Sequence, residues 1–179
     1  MIYFVTSNEN KLREVEQILQ RKIKKVSVEV DEVQSLELEE IIKKKAKSAF
    51  EIIKKPVLVE DTALYISALN GFPGALVKWV LKTVGNQGIC DWMKNKKNRK
   101  VVAKTYFCLY NGRNYRVFTG EMEGTIPQKP LGKSDFGWDP IFVPKGYEKS
   151  FAQLTSEVKN KRSMRAVALV KLKNFLDSN

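Results

Sequence analysis

The chain has 179 residues, of which 43% are hydrophobic, so it fits one compact domain, with two unequal lobes as the main alternative. It contains no histidine, which excludes imidazole as acid, base or metal ligand and leaves carboxylates, lysines and tyrosines for chemistry. The formal net charge of +12 favours anionic partners, and a nucleotide meets this condition as well as a nucleic acid does.

The first third of the chain predicts alternating strands and helices. Residues 1–5 predict a short buried strand, and the apolar residues of 10–19 recur at helical spacing, with Ser7 or Asn8 available as N-cap. A strand, a long helix and a second strand are then expected at 25–30, 38–53 and 56–61. This alternation indicates an α/β sheet with partly parallel strands.

The middle of the chain predicts two helices and a hairpin. Pro73 is placed to begin a helix and Gly85 to end it, and a second helix is expected around residues 89–94. Asn111 and Gly112 form the strongest short-range signal for a two-residue turn, so the apolar runs on either side predict a long antiparallel hairpin.

The last third predicts loops and then a helix. Glycine and proline are frequent between residues 124 and 146, which is typical of loops. Ser163 is a good N-cap for a final helix at 162–176, whose apolar residues give it a broad apolar face. Taken with the preceding elements, this pattern predicts an α/β fold: a mixed β-sheet with helices packed around it.

Residues 6–11 (TSNENK) lie between the first predicted strand and helix. Backbone amides at the start of a helix can hold an anion, and Lys11 adds a positive charge. The segment lacks the glycines of a P-loop, and taken alone it is explained more simply as a capped helix with a solvated lysine.

Glu60 and Asp61 follow an apolar run that predicts a buried strand. Burial of an unpaired charge is costly, so such carboxylates must be desolvated, paired or bound to a cation. Asp61 is therefore a candidate Mg²⁺ ligand that helps to deprotonate a metal-bound water, with Glu32 as the candidate second ligand. The simpler alternatives are that Asp61 or Thr62 caps a turn and that Glu32 is a solvated surface residue.

The segment DFGWDPIF, residues 135–142, places aromatic side chains beside a carboxylate. Phe136, Trp138 and Asp139, arranged around Gly137, suit a nucleobase slot, since a ring can stack on a base and the acid can hydrogen-bond to it. Packing in the core explains the two aromatic residues equally well.

Four cations are candidates for contact with a phosphate or a base carbonyl. Considered one at a time, each is explained more simply as a surface charge. They are Lys45, Lys78, Lys159 and Arg165.

Cys90 and Cys108 lie in unrelated segments without metal-ligand spacing, and the chain opens without a charged, apolar leader. No apolar run approaches the ~18 to 20 residues of a membrane-spanning helix. We therefore expect a reduced, cytoplasmic protein with no membrane contact.

Four segments of the chain, in order, resemble the signatures of the inosine triphosphate pyrophosphatase family. They are TSNENKLREV, LVEDTALYISALNGFPG, DFGWDPIFVP and EVKNKRSMRAVAL, and they span nearly the whole chain. The resemblance implies one pyrophosphatase domain over 1–179 that hydrolyses ITP, dITP and XTP to the monophosphate and pyrophosphate with Mg²⁺. It also implies a homodimer, and an elongated central sheet with two lobes flanking the active cleft.

The resemblance assigns roles to individual side chains. Asp61 is implied as the catalytic base, and Glu32 and Asp61 as the Mg²⁺ ligands. The implied substrate-binding residues are Thr6, Ser7, Asn8 and Lys11 at the triphosphate, Lys45, Thr62 and Lys78 nearby, and Phe136, Gly137, Trp138, Asp139, Lys159, Met164 and Arg165 at the base and ribose.

One departure from the family pattern affects substrate selectivity. Met164 stands where the family has a histidine that recognises the base, and methionine supplies no N–H donor. Discrimination between purines depends on such hydrogen bonds, so selectivity for the 6-oxo purine is in question. A broad-specificity triphosphatase, a nucleotide binder without activity, and a basic nucleic-acid-binding protein are the alternatives.

Overall fold

Strands and helices alternate through most of the computed structural model, which describes residues 2–31, 33–134 and 137–178. The strands are β1 (Tyr3–Val5), β2 (Lys24–Val26), β3 (Val57–Ile66), β4 (Pro73–Gly74), β5 (Lys100–Tyr110), β6 (Tyr115–Thr125) and β7 (Val143–Pro144). The helices are α1 (Glu9–Leu19), α2 (Leu38–Ile53), α3 (Val77–Thr83), α4 (Gly85–Trp92), α5 (Ser156–Arg162) and α6 (Met164–Asp177). Within the described ranges, no helix is both long and apolar enough to cross a membrane.

The strands form one mixed sheet in the order β2-β1-β3-β5-β6-β7, with β4 paired to β3 outside this order. Strand β1 runs parallel to both β2 and β3, with Tyr3 opposite Lys24 on one side and Val57 on the other. Strands β4 and β7 run antiparallel to β3 and β6. The predicted α/β class with a mixed, helix-flanked sheet is confirmed.

The chain divides into two compact units. Unit 1 comprises residues 1–62, 105–120 and 164–179, and unit 2 comprises 63–104 and 121–163. Strands β3, β5 and β6 each contribute residues to both units. The assignment of the whole chain to one functional domain stays a prediction.

Unit 1 has a hydrophobic cluster on each face of its strands. Because successive side chains of a strand point to opposite faces, Leu58 joins the cluster formed with α1 and α6, whereas Val57 and Val59 join the cluster formed with α2. The first cluster comprises Phe4, Val15, Leu19, Leu58, Phe107, Phe118, Ala168, Leu169 and Leu172. The second comprises Val5, Ile42, Ala46, Ala49, Val57, Val59 and Cys108.

Helix α6 approaches β6 closely at Gly120. A Cβ atom at this position would lie 1.9 Å from the carbonyl oxygen of Met164 and 2.8 Å from the amide nitrogen of Ala168. Both are backbone atoms of α6, so a side chain at position 120 cannot be accommodated by a change of rotamer. The absence of a side chain at Gly120 therefore sets the position of the first turn of α6.

Unit 2 is held together partly by one arginine. The Arg99 guanidinium donates to the carbonyl oxygens of Met93, Ile126 and Pro127 at 2.5 to 2.7 Å. Arg99, within the basic run at residues 94–100, thus ties its own segment to Met93 and to residues 126–127.

Of the two residues predicted to bound a helix, one acts differently. Pro73 does not begin a helix, because it lies in β4 and pairs with Tyr65 of β3, and α3 begins only at Val77. Gly85 ends α3 as predicted: it directly follows the C-cap residue Val84 and has the left-handed φ of +67° typical of a helix-ending glycine. It is also the first residue of α4.

The hairpin and the last helix are confirmed with changed details. The turn between β5 and β6 has four residues, because the Asn111 side chain accepts hydrogen bonds from the amides of Arg113 and Asn114. Ser163 follows α5 and directly precedes α6. Val167 and Val170 of α6 are exposed, so the buried face of this helix is narrower than the sequence predicts.

Replacing Gly120 with alanine is expected to destabilise the fold by about 3 kcal/mol or more, because the added methyl group meets backbone atoms that cannot move separately. Urea unfolding measures the change. Gly146→Ala is the control, since Gly146 has a φ of +85° but open space around it, so only backbone strain of about 1 to 2 kcal/mol is expected. Equal losses in the two variants would contradict the steric explanation.

Candidate active site

Glu60 and Asp61 lie in the middle of β3, whereas the strand predicted from the sequence ended with them. The strand continues to Ile66 because Leu64 and Tyr65 pair with β4. Within a strand, adjacent side chains point to opposite faces. The two carboxylates therefore enter different surroundings, although they are neighbours in the sequence.

Glu60 shares its face with Leu58 and reaches α1 and α6. Its Oε2 atom lies 2.5 Å from Nζ of Lys11, and its Oε1 atom accepts a hydrogen bond of 3.1 Å from the Arg165 guanidinium. Arg165 also donates to Oε2 of Glu14 at 2.5 Å. These four charged side chains, two acidic and two basic, form a network in which the Glu60 side chain is only 1% exposed.

The network keeps its buried members ionised. Burial alone would raise the pKa of Glu60, but the charges of Lys11 and Arg165 and their hydrogen bonds lower this pKa to about 2. Burial would lower the pKa of Arg165, and the opposing carboxylates of Glu60 and Glu14 raise it above its usual range. Glu60 therefore carries a negative charge, and Arg165 a positive one, at neutral pH.

Asp61 points to the face covered by α2. Its Oδ2 atom lies 3.5 Å from Nζ of Lys45, a residue of α2. Its Oδ1 atom accepts a hydrogen bond of 2.9 Å from the Thr62 amide. The Asp61 side chain is 28% exposed, so of the two adjacent carboxylates it is the one that a ligand can reach.

The start of α1 is organised by its own side chains. Asn8 caps the helix, because its Oδ1 atom accepts hydrogen bonds from the amides of Asn10 and Lys11. The Thr6 hydroxyl oxygen accepts from the Asn8 amide, and Ser7 is exposed. This cap fixes the first turn of the helix, from which Lys11 reaches Glu60.

Within unit 2, Asp139 and Lys159 form a second buried ion pair. The Lys159 ammonium lies 2.5 Å from Oδ2 of Asp139, which also accepts from the Ser134 hydroxyl at 3.1 Å. Both charged residues are less than 7% exposed. Lys78 is exposed, with its Nζ atom 5.7 Å from the centroid of the Trp79 ring.

Trp138 belongs to an aromatic cluster in unit 2. Its ring lies 5.4 Å from that of Phe142 in an edge-on arrangement and 6.4 Å from that of Phe151. Core packing, one of the two interpretations left open by the sequence, accounts for these contacts. The exposed Gly137 accepts a hydrogen bond from the Asn86 side chain at its carbonyl oxygen.

The structure brings nine of the predicted site residues into unit 1 and five into unit 2. Those in unit 1 are Thr6, Ser7, Asn8, Lys11, Lys45, Asp61, Thr62, Met164 and Arg165; those in unit 2 are Lys78, Gly137, Trp138, Asp139 and Lys159. Glu32 and Phe136 lie outside the described residues. The roles assigned to all of these residues stay predictions.

The sequence indicated that Glu60 is desolvated, paired or bound to a cation but did not identify its partners, and it gave no role to Glu14. The signal for Glu60 was its place between apolar residues at strand spacing, which predicts burial on the face of Leu58. Glu14 lies on the buried side of α1 beside Val15, but helical spacing alone gives no sign of its partner.

Asp61 suits a divalent cation such as Mg²⁺. Its carboxylate is partly exposed, and Mg²⁺ in enzymes is held by one or two carboxylates together with substrate phosphates and water. A bound cation would compete with Lys45 for this carboxylate. Within residues 2–31, 33–134 and 137–178, no cluster of three acidic or cysteine side chains could hold a metal without such additional ligands.

The fold and these side chains define an α/β protein with a charged site built on adjacent carboxylates of one strand. Over residues 2–175 the chain matches the sequence model of the Ham1 family. It is 39% identical to the dITP/XTP pyrophosphatase of Methanopyrus kandleri, covering 99% of this chain and 97% of that protein. It is 40% identical to the inosine triphosphate pyrophosphatase of Scheffersomyces stipitis, covering 99% and 98%.

A similar solved structure belongs to the same family. The HAM1 protein from Coxiella burnetii matches with a TM-score of 0.86 and 26% identity, covering 99% of this chain and 98% of the other. The chain therefore belongs to the Ham1 family, and the resemblance found in the sequence is confirmed.

The charge on Glu60 is expected to make stability depend on pH. Because its pKa is about 2 in the folded state and near 4.5 in the unfolded state, it contributes stability that is complete above about pH 5. This contribution, on the order of 3 kcal/mol, is lost as the pH falls from about 5 to 2. The stability difference between the wild type and Glu60→Gln, measured by urea unfolding, should shrink over this range.

The control for this measurement is Glu39→Gln, which removes an exposed carboxylate paired with Lys43 on α2. An exposed pair of this kind contributes little, so the difference from the wild type should stay small at every pH. A wild-type advantage over Glu60→Gln that is the same at pH 2 and pH 6 would show that the Glu60 charge is not the cause.

Proposed function

We propose that the protein is a nucleoside triphosphate pyrophosphatase that hydrolyses the nonstandard purine nucleotides ITP, dITP and XTP to the monophosphate and pyrophosphate. The names of the relatives that are 39% and 40% identical over nearly the whole chain support this proposal. The proposal includes Mg²⁺ as cofactor, a homodimeric state and a cytoplasmic location, all of which follow from the resemblance and the composition.

One structural observation carries the proposal. On a single strand, a partly exposed carboxylate, Asp61, stands next to the buried Glu60, and each carboxylate has its own lysine, Lys45 or Lys11. A water-activating base and cations for phosphate oxygens are the groups that hydrolysis of a phosphoanhydride requires. In unit 1 they are fixed by helices packed on both faces of the strands.

In the proposed reaction, Asp61 orients a water molecule and accepts its proton. The water oxygen forms a bond to the α-phosphorus in line, while the bond from this phosphorus to the bridging α,β-oxygen breaks. Pyrophosphate leaves with the bonding electron pair. Lys11 and the positive end of the α1 dipole stabilise the negative charge that develops on it.

Mg²⁺, held by Asp61 together with Glu32 and phosphate oxygens, would lower the pKa of bound water and offset phosphate charge. Lys45 lies close enough to Asp61 to balance its charge in the absence of such an ion. Residues 6–11, which include the N-cap of α1, and the first turn of α6 would then contact the rest of the nucleotide.

Replacing Asp61 with asparagine is expected to lower kcat for ITP hydrolysis by about 10² to 10⁴, because the base is lost while the shape is kept. Pyrophosphate and orthophosphate are assayed separately, with Mg²⁺ and with a chelator. Asp91→Asn, which alters an exposed aspartate of α4, is the matched control and should retain wild-type activity.

Two results would contradict this mechanism. Pyrophosphate release by Asp61→Asn at the wild-type rate would exclude Asp61 as the base. Release of orthophosphate instead of pyrophosphate by the wild type would show attack at a different phosphorus. Failure of the wild type to hydrolyse ITP, dITP or XTP would overturn the proposed function itself.

Met164 determines how selective the proposed enzyme is for its base. This side chain is 2% exposed at the first position of α6, next to Arg165, and it offers a thioether in place of an N–H donor. We therefore infer a weaker preference for ITP over GTP than a histidine at this position would give.

The variant Met164→His is expected to raise the ratio of kcat/KM for ITP to that for GTP by about tenfold or more, because the donor restores a hydrogen bond to the 6-oxo purine. Met164→Leu is the control, since it nearly keeps the volume and adds no donor. The two ratios come from pyrophosphate release with each substrate. Equal ratios in the histidine and leucine variants would exclude position 164 from base selection.

A further inference from the structure

Glu60 contacts two side chains to which the resemblance gives a role at the substrate. Its Oε2 atom pairs with Lys11, implied at the triphosphate, and its Oε1 atom accepts from Arg165, implied at the base. Both oxygens of the carboxylate are thus engaged by cations of the protein itself. Any influence of Glu60 on the reaction must therefore pass through a neighbouring side chain.

Lys11 is suited to transmit such an influence. Its side chain is 24% exposed, so one part of it is bound to Glu60 while another part is open to solvent. An ammonium group has three N–H donors, so it can keep its bond to Glu60 and still donate to a phosphate oxygen. A fixed partner also removes much of the freedom of a flexible lysine side chain before the ligand arrives.

We propose that Glu60 is a positioning residue that holds the Lys11 ammonium where it meets the phosphate oxygens of the substrate. Glu60 acts on the reaction through Lys11 and takes no part in the proton transfer, which belongs to Asp61. This inference rests on the proposed function, because it gives Lys11 a phosphate to bind. It assigns a role to Glu60, whose side chain lies on the opposite face of β3 from Asp61.

A competing explanation is that Glu60 serves only to neutralise the buried Arg165. Glu14 separates the two explanations, because it too pairs with Arg165, at 2.5 Å. Lys11 pairs with Glu60, whereas Glu14 pairs with Arg165. Removing the charge of Glu14 therefore disturbs Arg165 but leaves the partner of Lys11 in place.

The test is a pair of double-mutant cycles with ITP as substrate. One cycle combines Glu60→Gln with Lys11→Met, and the other combines Glu14→Gln with Lys11→Met. Values of kcat are normalised to the folded fraction measured by circular dichroism, and KM is used as measured. Glu60→Gln is expected to lower kcat/KM by about 100-fold through misplacement of Lys11. Once Lys11 is methionine, the same change should cost little more, whereas the losses from Glu14→Gln and Lys11→Met should multiply.

Losses that multiply in both cycles would overturn the inference, because Glu60 would then act independently of Lys11. A Glu60→Gln variant with wild-type kcat/KM would overturn it as well. Should Glu60→Gln fail to fold, Glu60→Asp replaces it in the cycle, since it keeps the charge and withdraws the carboxylate from Lys11.

A binding measurement separates failure of this inference from failure of the proposed function. Calorimetric titration with inorganic pyrophosphate requires no turnover and is made on the same variants. Lys11→Met should weaken pyrophosphate binding several-fold in the Glu14→Gln background but have little effect in the Glu60→Gln background. A wild type that hydrolyses none of the proposed nucleotides overturns the function, and the calorimetric cycle then still decides whether Glu60 positions Lys11.

Discussion

The constraint on which the site depends is the alternation of side chains along β3. Because adjacent residues of a strand face opposite ways, Glu60 enters the layer of α1 and α6, and Asp61 enters the layer of α2. Two carboxylates placed side by side would repel each other and each would need a counter-charge in the same space. Alternation gives each carboxylate its own helix layer and its own lysine. One carboxylate can then be buried while its neighbour stays accessible.

The buried carboxylate of Glu60 is tolerated because it pairs with two positive charges. A carboxylate in a protein interior pays a desolvation cost that is offset only when good geometry and hydrogen bonds accompany the opposite charge. Lys11 and Arg165 supply both, and Glu14 supplies the second carboxylate that the Arg165 guanidinium needs. The network thus links α1, β3 and α6 through ion pairs. The cost of leaving any one member unpaired explains why a single arrangement is favoured.

Local patterns in the sequence predicted those elements whose structure is decided locally. Helix α2 spans the predicted residues 38–53, because its amphipathic pattern is long and uninterrupted. The end of β3 and the role of Pro73 were predicted wrongly, since both depend on pairing between β3 and β4. The contact between Arg165 and Glu14 could not be predicted either, because the two residues are 151 positions apart in the sequence and spacing carries no information about such a contact. Residue types at the site were predictable, but the pairing of acids with bases was not.

These ion pairs change what the positive net charge of the chain implies about anion binding. The chain carries a net charge of +12, yet the buried network of Lys11, Arg165, Glu14 and Glu60 has two positive and two negative members. Lys45 and Asp61 likewise balance each other. An excess of positive charge among these six side chains therefore does not account for recognition of an anion. The surplus lysines instead lie elsewhere on the chain, where they can raise the rate of encounter with anions and are screened by salt. If the protein has the proposed function, selective binding depends on where Lys11 is held, because its charge alone is already offset by Glu60.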